Sequence, residues 1–547
     1  MALTLWAIYC TYDGLGPFLI YAQRPLIAGS VAGLIVGHPL LGLLVGATLE
    51  LAALGVYTYG GATIPDYQTG AIVGTALAAG AAGDAAAQAA IGIGVGLPAA
   101  ILLSALDPVG KMVTTALVHR ADGYAADGNA RGLAMIHWVS LVPWVAVRAI
   151  PTFLAALAAS GGLVKDITAS IPAGFVHGMT LAGSLLPAVG FALLLGMMEL
   201  SRYWYLLLIG FVGFAYLHLP VLGIALIGVA VAMLFVTLKR DEPVLAVPEA
   251  AAEESAVDSV VDPVVDSIVD SRLTRQDLRR VFRRYFWSSQ ISWNYERMQA
   301  LGFAYSIEPV LRRLYPEKTD YVAGLQRHLQ FFNTSVLVGG PLILGSSVAL
   351  EEAGTPKSAA STKVALMGPM AGIGDTVVFA LYNSIVFTMG ASWALQGNWL
   401  GPAFAAVMVL VPYALVRRWQ FSFAYREGKR LAGHLAAGAL ARVAQGATVL
   451  GFVVLGGFIP SIVKVVTTLT YRQTTTVQGQ PVTQSVAIQD RLDELLPFLL
   501  PVLVTAGVYL LTVKARLRPV WVIGIVVVAG VVLGWLGWFA PSAPAKS

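Results

Sequence analysis

This sequence predicts an all-α polytopic membrane protein in two halves, and three observations carry that prediction. Hydrophobic residues make up 57% of the 547 positions and charged residues only 12%, where a soluble domain carries about 25% charged residues. Charges are absent over long stretches, each able to house a crossing of about 20 apolar residues. A single acidic run, 241–271, divides the apolar sequence near its middle. The expected organisation is therefore a membrane domain over 1–240, a flexible linker over 241–271 and a second membrane domain over 272–547.

In the first half no charge falls between Arg24 and Glu50, Asp84 and Asp107, Asp166 and Glu199, or Arg202 and Lys239. Each gap can house a crossing, and long glycine- and alanine-rich runs can also fold as re-entrant hairpins. His218 and Pro220 interrupt the last, which reads as two short segments or one broken one. Glycine and alanine crowd 70–100, and small residues let membrane helices approach closely; Asp84 stands out within that run. Cys10 is the one cysteine, which excludes a disulfide within the chain and a cysteine-based zinc site, and it reads as a small packed residue. The first residues carry no basic n-region, so no cleavable signal peptide is expected. The net charge of +5 is small for this length, and basic residues read as cytoplasmic topology signals. No nucleic-acid partner is expected.

The linker holds nine acidic residues and no basic one. Asp258, Asp262, Asp266 and Asp270 recur every four residues, but Pro263 and the valine and serine content predict an extended tether. Lys239 and Arg240 place it on the cytoplasmic side. Beyond it, Thr274-Arg-Gln-Asp277 has the form of a capping box. It opens a helix with Arg279, Arg280, Arg283 and Arg284 beside Leu278, Val281, Phe282 and Phe286, a pattern that lies on an anionic membrane face. Arg417, Arg418, Arg426, Lys429 and Arg430 mark a further cytoplasmic loop, as do Lys514, Arg516 and Arg518. Tyr471 to Glu494, with Gly479 and Pro481 near its centre, reads as an extracytoplasmic β-hairpin between spans at about 445–466 and 496–513. A last span follows at about 520–539.

Four clusters could carry chemistry. Tyr21-Ala-Gln-Arg-Pro25 reads equally as a functional joint and as a loop whose Arg24 snorkels to headgroups. Glu50, with Gly60-Gly-Ala-Thr-Ile-Pro-Asp66, is the sharper signal. An ionisable residue inside an apolar run is a functional candidate, and Gly60, Gly61 and Pro65 would break a helix where transporters let backbone line a cavity. The third cluster joins Ser292–Glu317 to Arg327–Thr334. Asn294, Gln299, Gln330 and Asn333 both donate and accept hydrogen bonds, which suits sugar hydroxyls and equally suits helix capping or helix–helix bonding. The fourth is Glu351-Glu352 followed by Gly368–Asp375. It lacks the Lys-Ser/Thr of a phosphate-binding loop and is similar instead to a discontinuous-helix site. The seven histidines show no metal-ligand spacing. No nucleophile–base set, nucleotide motif or cofactor motif is present, so no catalytic residue, metal or cofactor is assigned. Such a chain needs a partner or moves solute down a gradient.

The second half resembles the IID component of the mannose-family phosphotransferase system. The resemblance runs through Ser292–Ser306, Arg312–Glu317, Arg327–Thr334, Leu350–Glu352 and Ala365–Asp375. The first half is similar to the IIC component through Gln23–Gly29, Gly46–Gly55, Gly60–Asp66, Ala121–Asn129 and Val147–Pro151. A IIC–IID fusion is the reading. It implies uptake of a hexose or related sugar across the bacterial inner membrane by a multi-pass permease, with phosphorylation by a partner phospho-IIB. IIA, HPr and enzyme I stand upstream, and the chain's own enzymatic status is left open. It also implies related, inverted membrane halves, a homotrimer of IIC–IID units, and an elevator-type movement of a core domain. The alternative is a phosphorylation-independent facilitator, or a bacteriocin or phage receptor.

Carried over by motif, the expected substrate-binding residues are Gln23, Glu50, Pro65, Asp66, Asn294, Gln299, Asn333 and Asp375, with direct sugar contacts centred on Glu50 and Asp66. Glu296, Arg297, Glu351 and Glu352 are expected at a partner interface or in a structural motif. Thr376–Ser384 departs from the mannose-type pattern, which usually continues with proline and an aromatic-rich run. A different hexose, an amino sugar or a sugar derivative therefore stands beside mannose.

Overall fold

The computed structural model describes residues 1–54, 64–160, 173–197, 200–238, 272–294, 296–428, 439–477, 480–517 and 519–542. The linker 241–271 and Gly60–Thr63 lie outside them. Helices account for nearly all of the ordered elements. Among the described residues four helices are long and apolar enough to cross a bilayer: Ala85–Ala126, Ala130–Ala159, Val377–Leu395 and Leu400–Glu427. Ile488–Leu495 and Leu499–Lys514 form a pair bent by 80°.

The gap between Arg24 and Glu50, long enough by composition for a crossing, is not one continuous helix. It holds a hairpin of two short helices, Pro25–Val36 and Pro39–Ala52, of about 18 and 21 Å at 1.5 Å per residue, shorter than the ~30 Å hydrocarbon core. Gly37 takes the left-handed conformation at φ 81° and closes the first helix, and Pro39 starts the second. Hydropathy cannot register such a turn, because glycine and proline leave the run apolar. The two helices touch along glycines: a β-carbon at Gly42 would lie 2.4 Å from the Gly29 carbonyl oxygen and 2.5 Å from the Gly33 α-carbon. Tyr67–Ala78 and Ala85–Leu103 pack in the same way through Gly70, Gly74, Gly92 and Gly96. Asp84 caps the second of these, accepting from the Ala87 amide at 2.9 Å. The last gap of the first half divides into Leu200–Ala215 and Val221–Leu238, with His218 at φ 52° between them.

In the second half Thr274 caps Arg275–Ser288 and closes a full capping box with Asp277. Pro356–Gly374 runs through a π-helical stretch, Asp375–Asn383, into Ser384–Leu395. The hairpin is shorter than the sequence suggests: Thr470–Val477 pairs antiparallel with Gln480–Ala487, and Ile488–Leu495 is helical. The Arg491–Glu494 ion pair at 2.7 Å and the Gln489–Asp493 bond at 3.0 Å sit at helical spacing there. Val466–Thr467 pairs with Phe539–Ala540, a contact between strands too short to leave a sequence pattern.

The halves meet along a seam. The corner Leu15–Pro17 of the first lies against Phe286–Trp293 of the second: the Gln290 amide donates to Leu15 O at 2.9 Å. The fully buried Arg417 donates to Pro17 O at 3.0 Å and to Phe286 O at 3.3 Å, with its guanidinium 4.5 Å from the Phe286 ring. His137 meets Ser292 at 2.9 Å, and the Trp144 indole donates to Trp293 O at 3.2 Å.

A valine at Gly42 is expected to disrupt the first hairpin at a cost of about 3 kcal/mol, because backbone rather than a movable side chain fills the space. Gly80, with nothing within 4 Å of a β-carbon, should accept alanine within about 0.5 kcal/mol. Thermal unfolding midpoints of Gly42→Val and Gly80→Ala in detergent check this; equal midpoints would contradict the tight approach.

Candidate functional site

A cavity of about 240 Å³ opens at the seam and is lined by both halves. The first half contributes the Tyr21–Pro25 joint, the Ile64–Gln68 segment, and Asp107, Lys111, Trp144 and Arg148 from the two long helices. The second contributes Gln290 and Trp293, then Gln299 and the Asn333–Val336 segment, and finally Ala371 and Phe379.

Four charges alternate along its wall. Asp66 pairs with Arg148 at 3.2 Å, Arg148 with Asp107 at 3.3 Å, and Asp107 with Lys111 at 2.6 Å. Asp66 also caps the helix that follows it, accepting from the Thr69 amide at 3.1 Å and the Thr69 hydroxyl at 2.9 Å. Its carboxylate is therefore held by an N-terminal turn and by a cation 82 residues onward. Asp107 and Lys111 are one helical turn apart, the spacing at which opposite charges meet. Two indoles cover the cations: Lys111 lies 5.0 Å from the Trp293 ring and 5.9 Å from the Trp144 ring, and Arg148 lies 5.6 Å from the Trp144 ring. The indoles meet edge to face at 6.1 Å. Cations over aromatic faces are attracted by the ring quadrupole, more so when desolvated.

The Tyr21–Pro25 joint is built by Asp13, which is buried and accepts from the amides of Leu19 at 2.6 Å and Ala22 at 2.8 Å. Phe18 and Tyr21 take positive φ in this turn. Arg24 does not snorkel. It is buried, forms a short pair with Glu50, and stands 5.0 Å from the Phe387 ring of the second half. A fully enclosed carboxylate 26 residues away gives it a stronger partner than lipid headgroups would. Glu50 also accepts the Leu26 amide at 3.2 Å and does not line the cavity; Arg24 stands between.

Of the residues singled out by sequence, the structure brings Gln23, Pro65, Asp66, Gln299 and Asn333 to the cavity wall. The Gln299 amide nitrogen donates to Thr334 O at 2.7 Å and to Asn333 Oδ1 at 3.4 Å. Asn294 lies elsewhere: fully buried, it accepts from the Glu296 and Arg297 amides at 3.0 and 2.9 Å and shapes a turn. The side chain of Asp375 lies outside the described residues. Glu296 meets His119 at 2.9 Å, and Arg297 pairs with Asp122 at 2.5 Å, so both reach the first half. Glu351 is enclosed by Arg327 at 2.9 Å, His328 at 2.9 Å and the Tyr315 hydroxyl at 2.6 Å. Burial pushes His328 down to about 4 despite that carboxylate, so the neutral ring donates from Nε2. Glu352 ties the Leu273 amide at 2.9 Å to the Tyr425 hydroxyl at 2.6 Å.

Sequence reasoning missed Asp107, Lys111, Arg148 and the two indoles as site residues. Their signals were present: an i,i+4 charge pair at the edge of an apolar run, and an arginine inside Val147–Pro151. Among the described residues no group of three or more histidine, cysteine, aspartate or glutamate side chains could hold a metal ion.

Comparison with known proteins agrees with this two-part construction. Residues 1–234 match the family described as the PTS system sorbose-specific IIC component, and residues 272–539 match the PTS system mannose/fructose/sorbose family IID component. The sorbose-specific EIID component of Klebsiella pneumoniae is 35% identical over 260 residues, covering 46% of this chain and 92% of that protein. The mannose-specific EIID component of Escherichia coli K12 is 34% identical over 259 residues, covering 45% and 90%. The mannose-specific EIIC component of the same organism is 30% identical over 242 residues, covering 44% and 89%. Among solved structures, a chain described as a membrane protein aligns at TM-score 0.43 with 33% identity, over 49% of this chain and 99% of its own length. The mannose transporter ManYZ in complex with microcin E492 aligns at TM-score 0.28 with 34% identity, over 49% and 98%.

Glu50→Gln is expected to cost about 3–5 kcal/mol, because it leaves Arg24 buried without a countercharge. Gln23→Ala, at the open wall, is expected to change stability by about 0.5 kcal/mol or less. Thermal midpoints of the two purified variants check this, and a Glu50→Gln midpoint equal to that of the parent would contradict the buried pair.

Proposed function

Because this chain belongs to the mannose/fructose/sorbose family of phosphotransferase-system permeases, with a IIC and a IID component in one polypeptide, we propose that the cavity at the seam is where it takes up its sugar. The single observation that carries this reading is the wall of that cavity: alternating carboxylates and cations, amides and two indoles, drawn from both components. Sugar hydroxyls donate to carboxylates and accept from guanidinium and ammonium groups, and the apolar face of a pyranose ring stacks on an indole. The volume suits a single monosaccharide. Asp66, Gln23, Gln299 and Asn333 are the proposed direct contacts, with Asp107, Lys111 and Arg148 completing the polar wall. Glu50 acts behind Arg24 by holding its guanidinium in place, and Pro65 positions the Asp66 turn.

The chemistry is placed on a partner. A phosphohistidine-bearing IIB phosphorylates the sugar as it reaches the cytoplasmic side, with IIA, HPr and enzyme I supplying the phosphoryl group. Capture as a sugar phosphate makes uptake one-way, because the charged product does not re-enter an apolar path. Movement of a core domain against a homotrimeric scaffold in the bacterial inner membrane completes the proposal. The short apolar hairpins support a moving core, because elements that do not span the bilayer by themselves must travel with their neighbours.

Asp66→Asn is expected to lower uptake about ten- to hundred-fold, the worth of one charge-assisted hydrogen bond. Assembly should survive, since Arg148 retains Asp107. The measurement is sugar uptake into proteoliposomes supplied with phosphorylated IIB. Parental kinetics in the variant would remove Asp66 from the site. Equal uptake with and without the phosphodonor would favour a facilitator.

A further inference from the structure

A second cleft, of about 280 Å³, lies between Arg275–Ser288 and Ala300–Leu314, away from the sugar cavity, and is lined by Arg280, Arg283, Arg284, Glu308, Pro309 and Arg312. We propose that it binds the phosphate of an anionic phospholipid headgroup, so that the second half is anchored to a specific lipid rather than to a diffuse surface charge.

The charge balance inside the cleft is uneven. Glu308 is its one carboxylate, and both of its oxygens are engaged: Arg284 reaches one at 2.7 Å, and the Tyr321 hydroxyl reaches the other at 3.1 Å. Arg284 is further fixed by the Tyr305 carbonyl at 2.9 Å and by the Tyr305 ring at 4.5 Å. Arg280, Arg283 and Arg312 are exposed and form no ion pair among the described residues. Asp277, one turn before Arg280, is already held by Thr274 and by Arg313 at 3.2 Å. Arg280, Arg283 and Arg284 share one helix face, where like charges at i,i+4 repel. An anion in the cleft relieves that repulsion, and the forked guanidinium matches phosphate oxygens two at a time.

The neighbourhood favours lipid over a free anion. Arg275–Ser288 turns its opposite side to Leu400–Glu427, one of the helices long and apolar enough to cross a bilayer, with Phe282 5.6 Å from Phe421. The outer face of that span exposes Leu415, Trp419 and Phe423 with Arg418 and Arg426 among them, and Trp287 is exposed as well, the mixture of aromatic and basic side chains found where a span meets headgroups. Tryptophans at a water–hydrocarbon boundary sit at headgroup level. Acyl chains along this span would bring a headgroup to the arginines.

The test uses the full-length protein in detergent, titrated separately with dioctanoylphosphatidylglycerol, dioctanoylphosphatidylcholine and inorganic phosphate, with affinity read by thermophoresis. The anionic lipid is expected to bind more tightly than the zwitterionic one. Affinity should fall about five-fold for each arginine removed in Arg280→Gln, Arg283→Gln and Arg312→Gln, since each basic residue at an anionic surface contributes a comparable increment. Arg283→Lys should lose less than Arg283→Gln. If the triple variant does not purify as a folded protein, the single variants Arg283→Gln and Arg312→Gln carry the same comparison. Inorganic phosphate binding as tightly as the lipid, with the same arginine dependence, would overturn the lipid as the source and leave a free phosphoryl anion. Equal binding of both lipids, or unchanged affinity in the variants, would overturn the site.

Discussion

The alternating charges Asp66, Arg148, Asp107 and Lys111 are the constraint on which the rest of the site depends. A single charge taken out of water into a protein of this composition is costly unless it is paired and hydrogen-bonded. Here each inner member of the series has an opposite charge on both sides, and the outer members are closed by the Thr69 amide at one end and by indole faces at the other. Three separate stretches of sequence supply the four charges. Their pairing therefore fixes where the Tyr67–Ala78 helix begins, how Asp107–Ala126 is rotated, and how deep Leu141–Ser160 sits. Because one of the two indoles is Trp293, the series also decides how the second half must lie against the first.

The seam answers the same requirement with different groups. Arg417 is buried without exposure and reaches two carbonyls, one from each half, while an aromatic ring covers its face. In the Arg24–Glu50 pair Arg24 is on the cavity wall with Glu50 one layer behind it, and the Arg24 guanidinium meets Phe387 across the seam. Polar groups of this kind hold the halves in register where apolar packing alone would let them slide. The glycine-packed hairpins complement them: close backbone approach gives rigid units, so that any displacement is carried by whole hairpins rather than by bending within them.

Much of this was legible in the sequence, and the exceptions have physical causes. Apolar runs and the paucity of charge point to a polytopic helical protein whichever way the runs fold. The capping box at Thr274 and the hairpin are local signals and stand where local rules put them, except that the second strand gives way at Ile488 to a helix whose Arg491–Glu494 and Gln489–Asp493 spacings favour it. Glu50 and Asp66 were legible as unusual, because an ionisable side chain inside an apolar run has few uses. Which charge each one meets was not legible: Arg24 stood evenly between a functional joint and a lipid-facing loop, and Arg148 was not weighed as a site residue, since pairing is decided by tertiary packing. Asn294 illustrates the converse. Its amide suits a sugar hydroxyl and suits a turn equally, and only the fold chooses between them. Whether the Arg24–Glu50 gap holds one crossing or a hairpin was not legible, because a glycine turn at Gly37 does not interrupt an apolar run.

The central claim is that one sugar site is shared between the IIC and IID components at the seam. Its most direct test is an electron cryo-microscopy map of the purified protein frozen with saturating sugar, once a hexose, amino sugar or sugar acid that binds has been identified by competition. The account predicts added density bounded by Asp66, Lys111 and Trp293, in contact with both halves. Density confined to one half, or lying outside this cavity while binding is saturated, would contradict it.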